Sequence, residues 1–411
     1  MSKHVWGLFE RYGIELEYMI CHKEKLHVMP IADQLIYKIA GEYVNDVCAG
    51  PITYSNELAL HLIELKTTYP AADLHNLAPT FQEHVQKINT LLKEFDACLM
   101  PTGMHPWMDP FQELRLWTHG DNSIYAQYNK IFDCRGHGWA NLQSSHLNLS
   151  FATDEELKEL HSSIRWLLPI MPALSASSPI ADGTKTPFLD TRLETYRHNQ
   201  KKVPSIAGLI IPEPVQSKDE YFERILEPMW KDIAQYDIEG LLREEWLNSR
   251  GAIVRFDRNA IEIRVLDIQE CPAMDLALIQ AIVYGLEELA LHVRKKTFPF
   301  DFLSTEDLSH IFLSCIRGGD QAIIDNLDYL SLFGCTTPMT ASSLWRTILQ
   351  PFWMNTMRNP PVLLQQLIVD QGPLARRIAR KWDATTNHDD EKQIYADLCT
   401  CLEQGKPYGL P

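Results

Sequence analysis

Four short segments of this chain place acidic or imidazole side chains at every second residue, with apolar ones between. They are Gly13-Ile14-Glu15-Leu16-Glu17-Tyr18, Leu62-Ile63-Glu64-Leu65, Ser145-His146-Leu147-Asn148-Leu149-Ser150 and Ile261-Glu262-Ile263-Arg264-Val265. A period of two is that of a β-strand, whose successive side chains point to opposite faces. Glu15 and Glu17 therefore share one face, and Ile14, Leu16 and Tyr18 share the other. His146, Asn148 and Ser150 are sorted in the same way, as are Glu262 and Arg264. Paired in one sheet, these segments would set a carboxylate-rich face against a hydrophobic back. Crowded carboxylates repel one another and resist ionisation unless cations neutralise them. An oxygen-rich set suits magnesium or manganese, and magnesium commonly arrives with a nucleotide phosphate.

No single segment carries this reading. Alternating glutamates on an exposed strand are commonplace, and a histidine on a strand is more often a satisfied core residue than a ligand. Glu262 and Arg264 taken alone fit one half of a cross-strand ion pair. The joint pattern carries the weight. By strict alternation Asp267 falls on the face opposite Arg264 and reads as structural.

The rest of the chain narrows the class. At 411 residues it is long enough for a large core, and a net charge of −16 argues against a nucleic-acid surface. Nine scattered cysteines, none in a Cys-x-x-Cys pair, and no signal-like run at the start point to reduced thiols and a cytoplasmic protein. The most apolar stretch, 164–176, is broken by Arg165, Pro169 and Pro172, so no membrane span is expected. There is no P-loop, no Gly-x-Gly-x-x-Gly and no Gly-x-Ser-x-Gly elbow.

Patterning predicts strands over 12–20, 62–67 and 143–151, with a bend at Ser55-Asn56. A hairpin over 252–267 would turn near Asp257-Arg258-Asn259. Helices are expected over 31–47, 79–99, from the Thr153–Glu156 capping box to about Leu168, 218–235 and 274–296. The segment 100–141 reads as a long functional loop rich in aromatics, and 173–208 as an ordered loop over a site. His105, His119, His137 and Cys134 match no zinc signature, so loop packing or substrate contact is expected of them. Residues 300–411 are helical in pattern and carry no chemical motif.

The order of the motifs resembles the glutamate–cysteine ligase family, in its second branch, which includes bacterial carboxylate–amine ligases. The residues that carry the likeness are Gly13-Ile14-Glu15-Leu16-Glu17, Ile63-Glu64-Leu65, His146-Leu147-Asn148, Leu174-Ser175-Ala176-Ser177-Ser178-Pro179, Tyr196-Arg197 and Glu262-Ile263-Arg264-Val265-Leu266-Asp267. The likeness spans about residues 10–295. It implies an α+β, glutamine-synthetase-like fold: a curved, mainly antiparallel sheet forming a funnel, with helices on its outer face. Residues 1–299 would be the catalytic domain, and 300–411 a helical C-terminal region packed on it.

By the same resemblance, Glu15, Glu17, Glu64, His146 and Glu262 would hold magnesium (or manganese), with Glu57 an outlying candidate. Arg264, Asn148 and Ser150 would meet ATP, Arg264 at the phosphate. Arg197 would hold a carboxylate of the amino-acid substrate. The implied reaction is ATP-dependent amide formation: phosphorylation of a carboxylate, by resemblance the γ-carboxylate of glutamate, then displacement by an amine such as that of cysteine. The partners are then small amino acids, not nucleic acid or membrane, and a homo-oligomer is compatible with the pattern. Two rival readings are a ligase of the same fold with another acid and amine, and a non-catalytic descendant that binds a metabolite. A metal-dependent hydrolase is a third, weaker reading.

Overall fold

In the computed structural model, which describes residues 5–120 and 122–409, the four alternating segments lie in one eight-stranded antiparallel sheet. Its strands are β1 (Tyr12–His22), β2 (Asp46–Cys48), β3 (Ile52–Asn56), β4 (Leu62–Thr67), β5 (Ala97–Met100), β6 (Ser144–Ser150), β9 (Ala252–Arg255) and β10 (Ala260–Asp267). Between β6 and β9, the short strands β7 (Ile180–Ala181) and β8 (Thr184–Lys185) form a separate hairpin. The order across the main sheet is β2-β3-β4-β1-β6-β10-β9, and β5 pairs with the far end of β1. One edge of β1 is thus shared, with β6 along Tyr12–Leu16 and β5 along Met19–His22. Gln143 bridges the junction, its Oε1 accepting from the Met19 amide and its Nε2 donating to the Thr102 carbonyl.

Register brings the polar set together. Glu15 lies opposite His146 on one side and Lys66 on the other, Glu17 opposite Glu64, and Glu262 opposite Asn148. Directly opposed residues of an antiparallel pair present their side chains on the same face. The other face is apolar: Ile14, Leu16, Tyr18, Ile63, Leu65, Leu147, Leu149, Ile261 and Ile263 are all fully buried. Helices Leu77–Leu92, Asp154–Leu167 and Pro272–Arg294 contribute to the same core. Ser145, on the back of β6, donates to Asp275 of the last of these at 2.6 Å, which pins that helix behind the site. Pro272–Arg294 is long and apolar enough to cross a membrane, but 72% of its most apolar window is buried inside the protein.

Several expected boundaries shift for local reasons. The helix expected over 31–47 runs only over Ala32–Ala40, ended by Gly41 in the left-handed region; β2 follows and pairs with β3. Instead of a bend, Ser55-Asn56 lies within β3, which pairs along its length with β4. The helix expected to reach residue 99 stops at Leu92, and after a left-handed Asp96 the chain becomes β5, whose ladder to β1 outweighs helix continuation. The long loop contains helices Pro110–Glu113, Ser123–Phe132 and His137–Ala140. The helix after β6 begins with Thr153 accepting from the Glu156 amide, while the Glu156 carboxylate accepts from Ala152 at 2.7 Å.

Beyond residue 300 the described chain is mostly helical and is tied to the rest at several points. Trp345 donates to the Ile170 carbonyl at 2.8 Å, Gln365 to Ala277 at 2.9 Å and Gln82 to Leu402 at 2.9 Å. Arg377 is buried against Glu270 at 2.6 Å.

Candidate active site

The polar face of the sheet floors a cavity of about 710 Å³. Its lining includes Glu15, Glu17, Glu57, Glu64, His146 and Glu262, the cations Lys66, Arg255 and Arg264, and the aromatic residues Tyr125, Tyr128, Trp139, Tyr196 and Trp246. The acidic and imidazole groups form two triads. Ligand atoms of Glu15, His146 and Glu262 lie within 4.8 Å of one another, as do those of Glu17, Glu64 and His146. His146 is common to both. Its Nδ1 is 3.0 Å from Glu15 and 4.0 Å from Glu262, and its Nε2 is 3.8 Å from Glu17.

Neighbouring groups aim these ligands. Asn148 donates to Glu15 at 3.0 Å. Ser144 donates to Glu17 from both its amide and its hydroxyl, at 2.7 and 2.8 Å. Glu262 is bonded to Arg264 and lies 3.2 Å from Arg255. Lys66 Nζ sits 3.1 Å from Glu64 and 3.0 Å from Asp46.

The crowding shows in the proton affinities. Burial, reinforced by the charges of Glu15 and Glu57, pushes Glu64 well above the usual carboxylate range. Burial and the charge of Glu17 lift Glu57 to about 8. Burial would lower the His146 imidazole, but its hydrogen bond to Glu15 and the charges of Glu17, Glu15 and Glu262 outweigh that and raise it to about 9. Glu15 moves the other way. Burial opposes its ionisation, yet the hydrogen bond to His146 and the His146 and Lys66 charges hold it well below its ordinary value. A face that retains protons for want of positive charge is a good host for a divalent cation, and the oxygen-dominated donor set with one imidazole fits magnesium or manganese.

The other expected residues are distributed as follows. Asn148 and Ser150 line an adjoining cavity of about 450 Å³, which shares Glu15, Asp46, Lys66 and Arg258 with the first. Asn148 Oδ1 is buried there without a protein partner, whereas Ser150 spends its hydroxyl on the Gly7 carbonyl and the Arg11 amide. Glu57, an outlying candidate by sequence, stands on the cavity wall with the other acids. Arg197 is not among the residues lining the cavity; its guanidinium pairs with Glu194 at 2.8 Å, one turn back along its own helix. Arg192 lines it instead, 2% exposed, with Nη2 unpartnered. Gln200, whose Oε1 is also unpartnered, lines it too. Arg192, Tyr196 and Gln200 recur every fourth residue, a helical spacing that the sequence displays. Lys66 was equally readable, two residues after Glu64 on one strand face.

The histidines of the aromatic segment have separate partners. His105 bonds the Leu26 carbonyl at 2.6 Å, His119 bonds Asp33 at 2.9 Å, and His137 bonds Asp182 at 3.0 Å. Among the described residues they join no metal-binding cluster.

Comparison with known proteins places this arrangement. Residues 11–305 match glutamate–cysteine ligase family 2 (GCS2). An uncharacterized protein of Archaeoglobus fulgidus is 40% identical over 285 residues, 68% of this chain and 76% of its own. Among solved structures, the fold is similar to the Francisella tularensis glutamate–cysteine ligase in complex with AMP. That likeness has a TM-score of 0.61 at 12% identity and covers 99% of this chain and 91% of the other. It is also similar to a bifunctional glutathione synthetase from Pasteurella multocida, with a TM-score of 0.58 at 12% identity over 97% of this chain and 53% of that one. The class is that of the carboxylate–amine ligases. Within it, the chain belongs to glutamate–cysteine ligase family 2.

Proposed function

We propose that this protein is an ATP- and magnesium-dependent ligase that joins the γ-carboxylate of glutamate, or of a similar amino acid, to an amine such as that of cysteine. The observation that carries the reading is the pair of triads sharing His146 at the floor of one cavity, in a chain of this family. On this reading the sheet is the inner wall of a glutamine-synthetase-like funnel. Glu15 and Glu262 would hold one cation and Glu17 and Glu64 another, with Glu57 standing by; a neutral imidazole has one free lone pair, so His146 would serve one of the two at a time. Bound there, magnesium would neutralise phosphate oxygens during phosphoryl transfer, a reaction catalysed mainly by positioning and charge.

The chain's own groups do the rest. Arg264, held by Glu262, directs positive charge at the transferring phosphate. Asn148 offers its free Oδ1 to the nucleotide side, and Ser150 shapes that wall. Arg192 replaces Arg197 as the cation for the acid's second carboxylate, because Arg192 lines the cavity with a guanidinium nitrogen left unpartnered and Arg197 does not line it. A free carboxylate is a poor electrophile, so an acyl phosphate supplies the leaving group that the amine displaces. The aromatic wall of Tyr125, Tyr128, Trp139 and Trp246 favours a second reading in which the amine is bulkier than cysteine.

The test is ADP release measured across a matrix of acids and amines. Glutamate with at least one amine is expected to turn over, and Arg192→Gln to raise the KM for the acid at least tenfold while Arg197→Gln leaves it within threefold. Absence of ADP release with every acid–amine pair would overturn the ligase reading.

A further inference from the structure

Asp267 does not line the cavity, yet it is fully buried in the fold. It ends the Glu-x-Arg-x-x-Asp segment. The ladder between β10 and β6 slips between Ile263 and Leu266, so alternation alone does not fix where Asp267 points. Its Oδ2 accepts from the Ser177 amide at 2.7 Å and the Ser178 hydroxyl at 2.7 Å. Its Oδ1 accepts from Arg192 Nε. The Ser178 hydroxyl in turn accepts from the Arg192 amide at 3.1 Å, and Arg192 Nη1 donates to the Arg264 carbonyl at 3.4 Å. A Cβ on Gly103 would lie 2.4 Å from the Asp267 carboxyl carbon, so only glycine admits the side chain there. The Arg192 guanidinium, which lines the cavity, is thereby held through Nε and Nη1, and its buried Nη2 has no protein partner.

We propose that Asp267, seated in the Ser177–Ser178 turn, is a positioning residue that fixes Arg192 for the substrate's carboxylate. Two motifs that supply no ligand to the acidic face, Leu174–Pro179 and the end of β10, then serve one purpose. Their serines and aspartate form the socket of an arginine that lies on a third segment. The inference rests on the reading of Arg192 as the carboxylate holder. A guanidinium with fixed orientation loses less freedom on binding than a mobile one, so the socket's contribution falls on acid binding rather than on the phosphoryl step.

The experiment compares wild type with Asp267→Asn and with Ser178→Ala, which removes the hydroxyl's two contacts, to Asp267 and to the Arg192 amide, without stranding the buried Arg192 charge. Equilibrium binding of L-glutamate and, separately, of a non-hydrolysable ATP analogue with magnesium is measured by calorimetry, with the thermal midpoint of each protein recorded alongside. Asp267→Asn is expected to weaken glutamate at least tenfold and Ser178→Ala about threefold, with nucleotide affinity within twofold of wild type. In turnover assays the loss should fall on the KM for the acid and leave kcat within threefold. Unchanged glutamate affinity in both variants overturns the proposal. So does an equal loss of nucleotide and glutamate binding in Ser178→Ala, which would mark the socket as merely structural. Wild type binding both ligands without ADP release under any pairing would overturn the ligase reading alone, since the ratio of glutamate affinities still reads the socket.

Discussion

Replacing Glu262 by glutamine tests the metal assignment with the least disturbance of shape. Glu262 is 3% exposed and belongs to the triad with Glu15 and His146. Glutamine keeps one acceptor oxygen, enough for Arg264 or Arg255 but not for both, and removes the charge, so the metal-free variant should lose about 1.5–3 kcal/mol of stability, the worth of a hydrogen bond to a charged group. The informative comparison is therefore each protein with and without magnesium. At a magnesium concentration one hundred times the dissociation constant, binding to the folded state alone adds about 2.7 kcal/mol per site. Unfolding entropy of about 2.1 cal/mol/K per residue makes 1 kcal/mol equivalent to about 1 °C for a chain of this length. The site at this triad should thus add about 3 °C to wild type. If loss of one ligand weakens the site about a hundredfold, the same concentration adds only about 0.4 kcal/mol, or about 0.5 °C. Differential scanning fluorimetry at matched ionic strength reads both shifts. A variant whose total magnesium shift equals that of wild type would refute the placement of the cation at this triad.

The acidic face should also make metal-free stability fall with pH. His146 is raised from 6.5 to about 9 and Glu57 from 4.5 to about 8. In both cases the folded state holds its proton more tightly than the unfolded one, so stability declines as pH climbs from about 4.5 to about 9. Urea midpoints across that range are expected to fall without magnesium and to flatten with it, because a metal-bound imidazole is neutral; parallel curves would count against the assignment. Magnesium binding near pH 7.5 should release protons, read as a dependence of calorimetric heat on the buffer's ionisation enthalpy. At the other end of the fold, Arg377→Ala strands the buried Glu270 carboxylate and should cost about 3–5 kcal/mol in chemical unfolding, a larger loss than any exposed ion pair such as Lys87–Glu83 would show. A loss under 1 kcal/mol would mean that the C-terminal helices are not held through this pair.

What the sequence disclosed follows from where its periodicity stays unbroken. Glu15, Glu17, Glu64, His146 and Glu262 were legible as one face because β1, β4, β6 and the first part of β10 remain in register, and a period of two is then a reliable guide to direction. The short strands β2, β3 and β5 were not legible as a group, since three to five residues carry too little alternation to outweigh a neighbouring helical pattern. Asp267 escaped for a different reason. The slip between Ile263 and Leu266 breaks the count, so a rule valid for Glu262 fails five residues later on the same strand.

Arg192 and Arg197 show the same limit on a helix. The Tyr-Arg motif draws attention to Arg197, but five residues at about 100° each separate the two arginines by about 140° around the axis, so both cannot face one cavity. Which of them does is decided by what stands behind it. Arg192 meets the buried carboxylate of Asp267, whereas Arg197 meets only Glu194 of its own helix, a partner 21% exposed. A motif names the residue types of a site; the buried counter-charge of Asp267 marks Arg192, outside the Tyr-Arg motif, as the arginine held beside the cavity.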